Sequence, residues 1–157
     1  MIDLPDDFRD LLLELADAQA EFVIVGGYAV AFHGHPRATK DIDILVRPER
    51  TNAKRVYEAL ARFGAPLSAF EVAAEDFAEY GGILQIGLPP FRIDVINSAS
   101  GITFDEAVEE GGQLELEGRT IPIIGLNALL KNKRASARAQ DLADVQALDA
   151  LIASRKT

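Results

Sequence analysis

The chain is predicted to fold as an α/β protein of the α+β kind, a mixed β-sheet with flanking helices and a C-terminal helical extension. Three observations predict it. Helical and strand periodicities alternate at the start, four short strand-like segments follow, and two helical segments close the chain. The order αβαβα, four strands, αα is not a pure βαβ repeat, so the sheet should be mixed. A length of 157 residues, 48 % of them hydrophobic and 26 % charged, suits one domain over 1–157. Its sheet-containing core is expected over 1–124 and its C-terminal helices over 125–157.

Pro5 to Ala20 reads as the first helix. Pro5 suits a first turn, acids crowd the positive N-terminal end, and Phe8, Leu11, Leu12, Leu15 and Ala18 share one face. Phe22 to Val25 is a strand without a polar residue, as expected when both faces are covered. Tyr28 to Phe32 forms a short helix closed by Gly34 and Pro36, with His33 and His35 at its end. Asp41 to Val46 begins by alternating acid and aliphatic, a second strand. Arg50 to Phe63 is an amphipathic helix with Val56, Leu60 and Phe63 inward, ended by Gly64. Ile83 to Ile86 and Phe91 to Ile96 pair antiparallel through Gly87-Leu-Pro-Pro90, with Phe91, Ile93 and Val95 on one face. Leu114 to Leu116 and Thr120 to Ile124 make a hairpin around Glu117-Gly118. Helices over Leu126 to Lys133 and Arg138 to Ala153 follow.

Composition excludes several classes. No apolar run reaches the roughly 18 residues of a membrane span. The acidic start, Met1-Ile-Asp-Leu-Pro-Asp-Asp, is not a signal peptide, and cysteine is absent, so there is no disulfide framework or thiolate metal site. A cytoplasmic protein without membrane contact is expected. The formal charge of −9 argues against a generic nucleic-acid coat. Lys131, Lys133, Arg134 and Arg138 nevertheless concentrate positive charge, which suits a phosphate site or simply a helix C-terminus.

The chemistry concentrates between residues 22 and 46. Residues two apart in a strand point to the same face with Cα atoms about 6.5–7 Å apart. Asp41 and Asp43 therefore project together while Ile42 and Ile44 enter the core. Adjacent carboxylates repel unless a cation or proton lies between them, and magnesium is the usual partner for such hard oxygen ligands. Asp94 projects opposite to its apolar neighbours. If its strand lies beside Asp41–Asp43, three carboxylates converge, enough for two divalent ions in an in-line phosphoryl transfer. Upstream, Gly26-Gly27 between strand and helix lets a ligand approach bare backbone, with the helix N–H groups facing an anion. Arg37, Thr39 and Lys40 sit where they can help bind a triphosphate, and Tyr28 either stacks on a base or packs inward.

A Gly-Gly turn, about a dozen residues, Asp-x-Asp on a strand and a later third Asp resembles the nucleotidyltransferase superfamily that includes DNA polymerase β. The match is Gly26-Gly27, thirteen intervening residues, Asp41-Ile-Asp43 and Asp94. More narrowly, Gly-Gly-Tyr-Ala-Val…His-Gly…Arg-x-Thr-Lys-Asp-Ile-Asp resembles small bacterial nucleotidyltransferases related to abortive-infection toxins. Their C-terminal signature, Lys, seven residues, then Asp-Leu-x-Asp, is matched by Lys133 and Asp141-Leu-Ala-Asp144, with Arg138 between. The resemblance implies a nucleotidyltransferase fold and magnesium (or manganese) on Asp41, Asp43 and Asp94. It implies Asp94 as base toward an acceptor hydroxyl, Gly26 and Gly27 as the triphosphate cradle, and Lys133 and Arg138 facing nucleotide or acceptor. Many members carry Ser after the first Gly; Gly27 stands there in this chain and offers only backbone donors. The expected activity is transfer of a nucleoside monophosphate from a triphosphate such as ATP to a hydroxyl of an RNA end, a protein or a small molecule, in an enzyme or toxin–antitoxin component with a protein partner. The alternatives are a non-catalytic nucleotide-binding module and, ranked last, a glycosyltransferase using Asp-x-Asp on a sugar nucleotide.

Overall fold

A computed structural model describes residues 4–79, 81–87 and 91–156. Its centre is a six-stranded sheet in the order β3-β4-β2-β1-β6-β5. The strands are β1 (Phe22–Val25), β2 (Asp41–Val46), β3 (Ile83–Ile86), β4 (Arg92–Ile96), β5 (Gly112–Leu116) and β6 (Arg119–Ile123). β2 runs parallel to β4 and β1 parallel to β6, while the β1–β2, β3–β4 and β5–β6 pairs are antiparallel. The mixed sheet expected from the element order is therefore the one formed.

Around it lie α1 (Asp6–Asp17), α2 (Gly26–Phe32), α3 (Arg50–Phe63), α4 (Phe104–Val108), α5 (Leu126–Ser136) and α6 (Ala139–Arg155), with a 3₁₀ turn at Ala74–Phe77. α1 buries Phe8, Leu11, Leu12 and Leu15, the stripe expected from its spacing, and packs on α3. Pro5 stands at the N-cap position, one residue before the first turn of α1, and no side chain caps that end. α3 starts under Glu49, whose carboxylate accepts from the Thr51 and Asn52 N–H groups, and stops at Gly64 in the left-handed region. β1 is buried at all four positions, as its apolar run requires in the middle of the sheet.

Several expectations are corrected. α2 begins at Gly26, so the glycine pair is its first turn rather than a linker before it. α4 was not expected. Thr103 and Glu106 form a reciprocal capping box there, and Arg47 stacks 4.6 Å over the Phe104 ring centroid. Phe91 precedes β4 and does not share the burial of Ile93 and Val95. It is half exposed, edge-on to Phe8 at 6.2 Å. The turn expected at Gly87–Pro90 lies in part outside the described residues. Among the described residues no helix is long and apolar enough to cross a membrane.

Candidate active site

β1 ends at Val25, directly opposite Asp43 on β2. The chain must then turn at once into α2, and Gly26 does so at φ +70°, a conformation open to glycine at little cost. A Cβ at position 26 would also overlap the Asp43 carboxylate. At position 27 a Cβ would come within 2.8 Å of Thr39 Oγ1 and 3.1 Å of the Arg37 guanidinium. The glycine pair thus brings bare backbone against Asp43, Thr39 and Arg37. No side chain caps the first turn of α2.

The acids meet because of strand register. β2 and β4 pair Asp41 with Arg92, Ile42 with Ile93 and Asp43 with Asp94. Ile42, Ile44, Ile93 and Val95 go to the core, so Asp41, Asp43, Arg92 and Asp94 occupy the other face. Asp94 is buried, and the Asp41 side chain is 40 % exposed. Burial first, then repulsion from and a hydrogen bond with Asp94, then the Asp41 charge, push the Asp43 carboxyl up to about 7, against the pull of Lys133.

One cation, absent from the sequence-based set, already touches this face. Arg92 donates from Nε to Asp94 Oδ1 at 3.0 Å and from Nη2 to Asp41 Oδ2 at 3.1 Å. Among the described residues no group of three or more His, Cys, Asp or Glu side chains is drawn close enough together to hold a metal ion as it stands. The donor set still fits a divalent ion in kind. It is three hard carboxylates on one face, one of them raised by burial and by its two acidic neighbours.

α5 and α6 border the cleft through a buried charge network. Lys133, almost wholly buried, places Nζ 2.9 Å from Asp144 Oδ2 and 3.2 Å from Asp141 Oδ1. Asp144 also accepts from Arg37 Nη2 at 3.0 Å and Gln140 Nε2 at 3.0 Å. Arg37 Nε lies 2.9 Å from the other Asp144 oxygen without hydrogen-bond alignment. Burial works to raise Asp141 and Asp144. Hydrogen bonds from Arg138, Ser136 and Lys133 to the first, and from Lys133, Arg37 and Gln140 to the second, outweigh it and hold both carboxyls below their ordinary range. The network ties the C-terminal helices to the loop that carries Arg37 and Thr39 beside the glycine turn.

The resulting cleft encloses about 710 Å³, within the range of small-molecule sites. Of the residues singled out in the sequence, Gly26, Gly27, Arg37, Thr39, Asp41, Asp43, Asp94, Lys133 and Arg138 line it. Tyr28 and Lys40 do not. Tyr28 is buried edge-on against Phe8 with ring centroids 5.8 Å apart, and Lys40 points to solvent. His33 closes α2, its Nε2 2.7 Å from the Ile124 carbonyl oxygen. Lys131 and Arg134 pair with Glu106 and Asp149 instead of the cleft. Arg92 and Gln140 line the cleft but were missed. Arg92 was findable, since it stands two residues before Asp94 and must share its face; Gln140 carried no signal.

Comparison with known proteins agrees with this geometry. The family model for aminoglycoside-2''-adenylyltransferase matches residues 7–148. No curated protein matches the chain in sequence. Among solved structures, a Thermotoga maritima protein provisionally described as a nucleotidyltransferase superposes with a TM-score of 0.53 at 12 % identity, covering 97 % of this chain and 96 % of that one. At that identity the match speaks for the fold.

Proposed function

The chain belongs to the aminoglycoside-2''-adenylyltransferase family of nucleotidyltransferases, and on that premise we propose that it is a magnesium-dependent enzyme moving a nucleoside monophosphate from a triphosphate to a hydroxyl. The observation that carries this reading is the register of β2 and β4, which sets Asp94 beside Asp43 and Asp41 in the cleft that Gly26 and Gly27 open. Magnesium, or manganese in its place, would be held by Asp41, Asp43 and Asp94 and would neutralise the triphosphate at the point of transfer. The chain's own groups do the rest. Backbone at Gly26 and Gly27, with Arg37 and Thr39, receives the phosphates. Asp94 takes the proton of the acceptor hydroxyl. The acceptor oxygen bonds to the α-phosphorus as the bond to the β-phosphate oxygen breaks and pyrophosphate leaves. Positioning and charge account for the rate, because such transfer needs little covalent help.

The acceptor follows from what the cleft leaves uncommitted. Its acids among the described residues are Asp41, Asp43, Asp94 and Asp141. The first three are assigned to the ion, and Asp141 is held by Lys133, Ser136 and Arg138. Ser98, Ser100, Asn132 and Ser136 supply neutral polar lining. That set is poor for a polycationic aminoglycoside and suits a hydroxyl on an RNA end, a protein or a neutral small molecule. The Lys133 and Asp141-Leu-Ala-Asp144 pattern supports placement in the abortive-infection-toxin-related subgroup, as a cytoplasmic toxin–antitoxin component.

Incubation with each labelled triphosphate, magnesium and cell extract tests the reading. A labelled acceptor and released pyrophosphate, both dependent on the divalent ion, are expected. Triphosphate binding with no labelled product from extracts, RNA, proteins or aminoglycosides would instead make the chain a binding module.

A further inference from the structure

Arg92 begins β4, two residues before Asp94 and directly across from Asp41. Strand geometry therefore lays its side chain over the carboxylate face. Its guanidinium reaches Asp94 Oδ1 from Nε at 3.0 Å, Asp94 Oδ2 from Nη2 at 3.3 Å and Asp41 Oδ2 from Nη2 at 3.1 Å. Among the described residues it makes no other side-chain hydrogen bond or ion pair. The side chain is 42 % exposed, so it fills no core space. Lys133 and Arg138, which also act on the Asp43 charge, are committed elsewhere, Lys133 to Asp141 and Asp144 and Arg138 to Asp141. Arg92 thus does one thing in the fold: it bridges two of the three carboxylates assigned to the ion.

A planar guanidinium fork suits carboxylate and phosphate oxygens equally well. A divalent ion that takes Asp41 Oδ2 and the Asp94 oxygens competes with that fork for them. We propose that Arg92 is a built-in counter-cation that weakens binding of free divalent ions and yields the carboxylates when a triphosphate arrives, whose oxygens then take the guanidinium. The proposal rests on the nucleotidyl-transfer reading above. It makes ion and triphosphate bind cooperatively, and linkage requires the coupling to be mutual.

Manganese binding, followed by electron paramagnetic resonance with and without a non-hydrolysable triphosphate, tests it without any turnover. Arg92→Met should bind Mn²⁺ alone roughly five- to tenfold more tightly than the unaltered chain, the scale of releasing a partly exposed ion-pair network. The triphosphate should tighten Mn²⁺ binding less in the variant than in the unaltered chain. Arg92→Lys should fall between them. Should Arg92→Met not fold, Arg92→Gln carries the same expectation. Equal or weaker Mn²⁺ binding without the guanidinium overturns the proposal and leaves the enzyme reading standing. Absence of Mn²⁺ binding in every variant, triphosphate present or not, overturns both.

Discussion

Asp43→Asn should abolish nucleotidyl transfer and, at pH 8 without divalent ions, make the protein more stable. Both effects come from one carboxyl. Asp43 is the central acid of the three, held between Asp41 on its own strand and Asp94 on the next. Removing its charge removes an ion ligand and should lower the rate by about 10³-fold or more, the scale at which transition-state charge stabilisation is lost. The stability effect follows from the raised carboxyl, about 7 in the folded chain against 3.8 for a free aspartate. Between those values the folded state keeps a proton that the unfolded state has released. Stability therefore falls as pH rises through that window, and the cost is full above about pH 7. Its size is on the order of 4 kcal/mol. Asparagine carries no charge to desolvate and can donate an N–H to Asp94. Thermal melts from pH 5 to 8 should show the native chain losing stability and the variant losing much less. At pH 8 the variant should melt roughly 5 °C higher or more. A variant that melts lower at pH 8, or that retains full transfer, would contradict the account.

Asp144→Ala should be the most damaging change away from the sheet. Asp144 is fully buried and accepts from Arg37, Lys133 and Gln140. Alanine there leaves the Lys133 ammonium buried with Asp141 alone and releases Arg37 from α6. Breaking one side of a buried ion network costs about 3–5 kcal/mol in favourable cases; the retained Asp141 contact and the partly exposed Arg37 place this one at the lower end. Because Arg37 lies against Gly27, triphosphate affinity should fall as well. Chemical denaturation checks the first effect and calorimetric titration with a triphosphate the second. A loss below about 1 kcal/mol would mean that the network is solvated rather than buried.

The sheet and most of the site were legible because both obey short-range rules. An apolar run at Phe22–Val25 and acid–aliphatic alternation at Asp41–Val46 fixed two strands to the residue. The same two-residue period placed Asp41 with Asp43 and set Asp94 apart from Ile93 and Val95. It also places Arg92 on the same face as Asp94. α4 was equally readable, since Thr103 and Glu106 have capping-box spacing before an apolar residue. It was missed because five helical residues between strands leave little periodicity. Other features needed the tertiary fold. Tyr28 meets Phe8 across α2 and α1, a contact between elements that no local pattern encodes. That Lys133 is buried rather than solvated depends on α6 folding back to supply Asp141 and Asp144, and nothing local to Lys133 encodes it.

The central claim is that Asp41, Asp43 and Asp94 jointly hold a divalent ion beside a triphosphate in the Gly26–Gly27 cleft. Calorimetric titration of Mg²⁺ in the presence of a non-hydrolysable triphosphate tests it most directly, on the unaltered chain and on the three single Asp→Asn variants. The account expects saturable Mg²⁺ binding that each substitution weakens about tenfold or more, as loss of an inner ligand should. Mg²⁺ binding of equal strength in all four proteins would contradict it.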